Sequence, residues 1–158
     1  MVQGFLARFD FGAGGMRRLF NWWPPFRGAG IYVREIAPDF RSATVELRMR
    51  LLNRNYVGTH FGGSLFAMTD PFFMILMMKN LGPEYVVWDK QGTVRFIKPA
   101  RGTVVARFRL PEERIEEARA ATSSGAKFEP TFRVDIVDAA GETVAAVEKI
   151  LHIRRRMR

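Results

Sequence analysis

Hydrophobic and polar residues alternate along residues 43–51, where Ala43, Val45, Leu47, Met49 and Leu51 are separated by Thr44, Glu46, Arg48 and Arg50. A period of two predicts a half-buried strand. With "IYVREI" before it and "APDFRS" between, the stretch reads as a hairpin. The same alternation returns at residues 93–96 and 103–110, with "KPARG" read as the turn that joins them. It returns again at residues 128–136 and, after "DAAGE", in "TVAAVEKILHI". Residues 64–81 break the pattern, being dense in Leu, Phe, Met and Ile until "NLGP" stops them. A glycine and a proline at that point end a helix. This helix has almost no polar face, so other structure must enclose it. "PEERIEEARAA" has a proline at its start and acids in its first turn, and predicts a short exposed helix. About six strands and one apolar helix satisfy burial if an antiparallel sheet curls around the helix, which is an α+β fold.

Composition narrows the picture. The chain has 158 residues and 47% hydrophobic content, enough for one domain with a real core. Residues 30–158 carry that domain. Residues 1–29, rich in Gly, Arg and aromatics and closed by "WWPPFRGAG", form an N-terminal extension with a short helix around "GGMRRLFNWW". Its aromatics dock on the domain, bind a partner or lie on a membrane surface. No cysteine is present, which excludes disulfides, thiolate nucleophiles and Cys-based metal sites, and the two histidines leave little for a metal centre. No metal and no cofactor are expected. The longest apolar run, "FFMILMM", is far below the ~18 residues of a membrane span. With no signal-type core at the N-terminus, a cytoplasmic location is the default. The net charge of +9 favours an anionic partner, whether nucleic acid, a membrane surface or a phosphorylated small molecule. No nucleic-acid motif is present, so specific nucleic-acid binding is not expected.

One motif is concentrated enough to carry chemistry: "NYVGTHFGGS" at 55–64, followed by Asp70. Consecutive glycines let a ligand approach the backbone, and the first turn of a helix offers unpaired N–H groups. The Lys-Ser/Thr step of a P-loop and the βαβ frame of a dinucleotide site are both missing. Asp70 precedes Pro71, so locally it reads as a helix cap with the helix starting at Pro71. "GGSLFAMT" carries no turn signal, however, and an earlier start at Gly62 or Gly63 with a kink at Pro71 fits better. The kink costs one backbone bond, to the carbonyl of Ala67.

These residues resemble the motif of the hotdog-fold acyl-CoA thioesterases of the phenylacetate-pathway type, and more closely a poorly characterised bacterial branch of that superfamily. Asn55, Gly58, the pair Gly62-Gly63 and Asp70 match the family's Asn, Gly, Gly-Gly and helical acid, and the element order from about residue 30 to 153 also fits. The family's histidine falls on Phe61, with His60 one place early.

The resemblance implies a hotdog fold, a homodimer, with dimer or tetramer left open, and a site shared between subunits. It further implies that the Gly62 amide polarises a thioester carbonyl while Asp70 activates water or attacks directly. Eight residues of helix, ~12 Å, separate Gly62 from Asp70 within one chain, and the resemblance implies that the glycine amide of one subunit faces the acid of the other. Apolar neighbours such as Phe66 and Phe73 would raise the Asp70 pKa by desolvating it. Asn55 orients the loop or the substrate. Phe61, Gly63 and Ser64 line the substrate path, and Asp89 in "VWDKQG" falls where relatives orient water. Arg95, Lys98 and Arg101 surround the turn after the central strand, and either bind CoA phosphates or form a solvated basic rim. The Met- and Phe-rich helix either accepts a medium or long acyl group or fills the core. The alternative to hydrolysis is a non-catalytic module that binds lipid, acyl-CoA or an acyl carrier, which Phe61 at the histidine position favours.

Overall fold

The computed structural model describes residues 11–156; the first ten residues of the N-terminal extension and the last two of the basic tail lie outside the described residues. Strands β1 (Ile31–Ile36) and β2 (Ser42–Arg48) form the expected hairpin. Strands β3 (Tyr85–Phe96), β4 (Thr103–Arg109), β5 (Lys127–Phe128), β6 (Thr131–Val137) and β7 (Thr143–Arg155) complete one antiparallel sheet in the order β1-β2-β4-β6-β7-β3, with β5 on β7. Two expectations about the strands are corrected. The alternation of 43–51 ends as strand at Arg48, and Leu51–Asn53 forms a 3-10 turn whose leucines are exposed. The stretch "KPARG" does not fold β3 onto β4: β4 lies between β2 and β6, whereas β3 pairs along its length with β7 at the other end of the order. Local sequence marks the turn but not which strands meet across it.

The sheet wraps around the helical segment 62–81, which is the hotdog arrangement. That segment is two helices, α3 (Gly62–Ala67) and α4 (Phe72–Leu81), and not one kinked helix. Pro71 has no N–H to give the Ala67 carbonyl, and Asp70 N–H takes that carbonyl instead at 3.1 Å. Helix α4 then starts afresh, with Ile75 N–H on the Pro71 carbonyl. The Asp70-Pro71 peptide bond is cis.

The Met- and Phe-rich residues of α4 fill the core: Phe72, Phe73, Leu76 and Met77 are all buried. Phe73 stacks on Phe132 with centroids 4.9 Å apart, and Phe72 meets Phe108 at 5.0 Å. Around them stand the inward residues of the strands, including Val45, Leu47, Ala106, Val134, Val147 and Leu151. Helix α1 (Ala13–Trp22) and helix α2 (Pro24–Ala29) bury Phe20 and Phe26, whose rings approach Phe72 at 5.8 and 6.2 Å. Asn21 grips the edge strand β1 in both directions, donating to the Val33 carbonyl at 3.0 Å and accepting from its N–H at 2.7 Å. Helix α5 (Glu112–Ala121) covers α4 with Ile115 and Ala118 and leaves its acids in solvent, as its sequence predicted. Among the described residues no helix is long and apolar enough to cross a membrane.

Phe72 joins α1, α2 and β4 to the core, so Phe72→Ala is expected to lower unfolding free energy by about 3–5 kcal/mol in chemical denaturation. A loss below about 1 kcal/mol would contradict that central place.

Candidate functional site

The break between α3 and α4 brings Asp70 out of the core. Its side chain is 54% exposed, and Oδ1 accepts a hydrogen bond from Lys149 Nζ at 3.2 Å. The capping alternative is not what forms: Pro71 occupies the N-cap of α4, and no side-chain cap bond is made. Phe73 turns into the core, while the Phe66 ring lies 4.8 Å from Lys149 Nζ.

Asp89 reaches the same place through a β-bulge. In the β3–β7 register Asp89 faces Leu151 and Gln91 faces Ile150, so Lys90 is an extra residue. An extra residue reverses the alternation on one side of itself. Asp89 therefore shares the inward face with Gly92, which faces Lys149. Asp89 Oδ2 is 3.8 Å from Lys149 Nζ, and the buried Asp89 Oδ1 has no hydrogen-bond partner. Burial, reinforced by hydrogen bonding to Asp70, pushes the Asp89 carboxyl up to about 7 against the pull of Lys149. Gly92 is needed for the approach: a Cβ there would stand 2.6 Å from the Phe66 ring and 3.3 Å from Lys149 Cδ.

Lys149 is the site residue that the sequence reading missed. It occupies one of the inward positions Ala145, Val147, Lys149, Leu151 and Ile153 of β7, and only 4% of its side chain is exposed. A lone lysine in an otherwise apolar alternation was the available signal, since a buried ammonium requires a counter-charge.

The glycine motif forms a second cluster. Asn55 organises its own loop: Oδ1 accepts from Thr59 N–H at 2.9 Å and Val57 N–H at 3.1 Å, and Nδ2 donates to Thr59 Oγ1 and the His60 carbonyl. His60 points inward and is buried, with Nε2 2.7 Å from the Gly102 carbonyl. Burial lowers its pKa, partly offset by that bond. It therefore does not stand in for a histidine at position 61, where Phe61 is 59% exposed. Gly62 and Gly63, whose amides find no backbone acceptor among the described residues, open α3; Ser64 behind them is buried. Their lack of side chains admits neighbouring rings, for a Cβ on Gly62 would stand 2.8 Å from Phe96 and one on Gly63 2.4 Å from Phe61.

Gly62, Asn55, His60, Phe96, Lys98 and Arg101 line a groove of about 650 Å³. Arg101 donates to the Gly58 carbonyl at 3.0 Å and is otherwise exposed. Lys98 is held between Asp138, at 2.8 Å, and Glu142. Arg95 is elsewhere, lining a smaller cleft of about 460 Å³ with Thr93, Arg133 and Glu148.

In the unfolded chain Asp89 titrates near 3.8, and in the folded chain near 7. Between these values the folded state holds the extra proton, so stability falls as pH rises through the window and levels off above it. Asp89→Asn removes the titration and is expected to gain stability relative to the parent in thermal melts as pH is raised from about 5 to about 8. A difference that does not change with pH would contradict the raised carboxyl.

Solved structures share this framework. The Pseudomonas aeruginosa protein PA5026, named as a protein of unknown function and probable thioesterase, aligns with a TM-score of 0.79 and 22% identity over 89% of this chain and 93% of its own. Thioesterase HI1161 of Haemophilus influenzae aligns at 0.66 with 11% identity, covering 95% of each chain. The PaaI protein of the E. coli phenylacetic acid degradation operon aligns at 0.58 with 14% identity over 90% and 91%. At these identities the likeness is one of fold, and the fold is the hotdog arrangement that the resemblance implied. A comparison with curated proteins gives no match. The model of the family described as "Domain of unknown function (DUF4442)" matches residues 15–153, and the chain therefore belongs to that family, built on the hotdog framework.

Proposed function

We propose that this protein hydrolyses acyl-CoA-like thioesters at a site shared between two copies of the chain. The observation that carries the reading is Asp70: a carboxylate half in solvent, released from the helix by Pro71 and held from behind by a buried lysine. In this mechanism the Gly62 amide polarises the thioester carbonyl, and Asp70 takes the proton of an attacking water or attacks the carbonyl itself. Thioesterase names among proteins of the same fold support the reaction class.

The layout of β3 supports the shared site. Gly62 touches Phe96 near the C-terminal end of the strand, Phe66 touches Gly92 in its middle, and Asp70 stands with Lys149 and Asp89 towards the other end. Among the described residues β3 has only β7 as a partner, and its other edge is unpaired. Antiparallel pairing with a second copy, centred near Gly92 and Thr93, would bring the Phe96 end of one strand against the Asp89 end of the other. The partner subunit's Gly62 then approaches Asp70, a distance one chain alone does not span. Arg101, beside Gly62, has guanidinium N–H groups free for a CoA phosphate, and Lys98 contributes field from the same groove. Phe61, Gly63 and Ser64 bound the acyl entry, and Asn55 holds the loop that presents them.

Phe61 favours a second reading. An exposed phenyl ring supplies no hydrogen bond, so the same groove also suits a module that binds acyl-CoA, lipid or an acyl carrier without turnover.

A panel of acyl-CoAs assayed by free-thiol release separates the two. Turnover by the parent is expected to fall by about 10²–10⁴-fold in Asp70→Asn. Unchanged turnover would remove Asp70 from the chemistry, and saturable binding without turnover in the parent would establish the binding module. Mixing inactive Asp70→Asn with inactive Gly62→Val is expected to restore activity, because each mixed dimer holds one intact site. No recovery after subunit exchange would place the site within one chain.

A further inference from the structure

Three ionisable side chains meet at the break between the helices: Asp70, Asp89 and Lys149. Their charges do not balance if all three ionise. One ammonium, almost entirely buried, faces two carboxyl groups, and only one of these has solvent over half its surface. A single buried cation supports a single carboxylate, so the second carboxyl keeps its proton. Burial decides which one: the Asp89 side chain is 18% exposed and the Asp70 side chain is the open one. The buried Asp89 Oδ1 lacks a donor, and a proton there turns an orphaned acceptor into a donor towards Asp70.

We infer that Asp89 and Lys149 are positioning residues for Asp70: Lys149 neutralises its charge, and Asp89, kept protonated, donates a hydrogen bond that fixes its orientation while one side stays open to water. This assignment rests on the hydrolytic reading above for its catalytic consequence. The other charged groups nearby are committed elsewhere. Lys90, at the bulge, pairs with Glu129 at 2.6 Å, and Glu148, next to Lys149 on the outer face, pairs with Arg133 at 2.9 Å. From α3 the Phe66 ring stands over the ammonium. The value of about 7 for the Asp89 carboxyl agrees with the charge balance.

During turnover the oxygen of water bonds to the carbonyl carbon and its proton passes to Asp70. The C–S bond then breaks with its electron pair on sulfur, and Asp70 returns the proton to that sulfur. The products are a carboxylic acid and a free thiol, and Asp70 is again a carboxylate. The Asp89 proton stays in place throughout. When Asp89 ionises at higher pH, two like charges face one ammonium, the hydrogen bond to Asp70 is lost and the base is no longer held.

The test compares pH profiles of acyl-CoA hydrolysis for the parent, Asp89→Asn and Asp89→Ala, with a carboxyl-carbon NMR titration of each protein labelled at aspartate. In the parent, kcat is expected to fall as pH rises through neutrality, with KM changed little. Asp89→Asn retains an N–H donor and cannot ionise, so it is expected to keep activity and lose the alkaline fall. Asp89→Ala is expected to lose roughly 10-fold in kcat across the whole range. The NMR titration reads the clamp without turnover: one aspartate titrates near neutrality in the parent, is absent from both Asp89 variants, and shifts upward in Lys149→Met. An alkaline fall that persists in Asp89→Asn, or an Asp89 that titrates in the ordinary carboxylate range, would overturn the inference. A parent whose Asp89 titrates near neutrality but which turns over no acyl-CoA would sink the hydrolytic reading and leave the clamp supported.

Discussion

Helix α4 buries most of its circumference, and the architecture follows from that constraint. Phe72, Phe73, Ile75, Leu76, Met77 and Leu81 are all buried and spread over about two-thirds of the helix circumference, so cover must come from several sides. Strands β2, β4, β6 and β7 provide it from one side, α5 from another, and Phe20 and Phe26 of the N-terminal helices from a third. An enclosure this complete leaves polar chemistry few places to stand. It stands where the helix is interrupted, because Pro71 stops the hydrogen-bond ladder just as the chain passes the inner edge of β3 and β7.

Three local irregularities meet at that point, and each has a separate cause. The interruption frees Asp70, the extra residue at Lys90 turns Asp89 inward, and Gly92 leaves room for Phe66 and Lys149 to close on each other. None of them alone makes a site. Regular helix and regular strand would put the two carboxyl groups on different faces and bury the lysine without a counter-charge, an arrangement too costly to persist.

Legibility in the sequence followed the range of the interactions involved. Period-two alternation marked β2, β4, β6 and the end of β3, turn signals marked β1 and β7 beside them, and capping chemistry marked α5, since all depend on near neighbours in the chain. The pairing of β3 with β7 was not legible, because a turn signal such as "KPARG" says nothing about which edge the chain crosses to. Asp70, Gly62 and Asn55 stood out through spacing. Asp89 was picked out by position, but its contact with Asp70 depends on a bulge that alternation rules do not anticipate. Lys149 was hidden because "TVAAVEKILHI" was read for its apolar period, and the one residue that violates the period was passed over as part of a strand. His60 and Phe61 were legible as a displaced pair, but only the fold says that His60 serves the loop, through Gly102.

The bulge also decides how this site tolerates change in the length of the chain. Strand side chains alternate, so a single residue sets which face everything upstream presents. Were Lys90 taken into the ladder as a regular strand residue, Asp89, Val87 and Tyr85 would turn to the outer surface and Trp88 and Val86 into the core, with no change to Asp70 or Lys149 themselves. A substitution at Lys90 touches an exposed ion pair with Glu129; a deletion there removes the extra residue and leaves Asp89 opposite Leu151, on the same face. Two residues between Asp89 and Gly92 need the bulge to keep both on the inward face and one does not, so across related chains the pairing of that stretch is as much a part of the site as the identity of either.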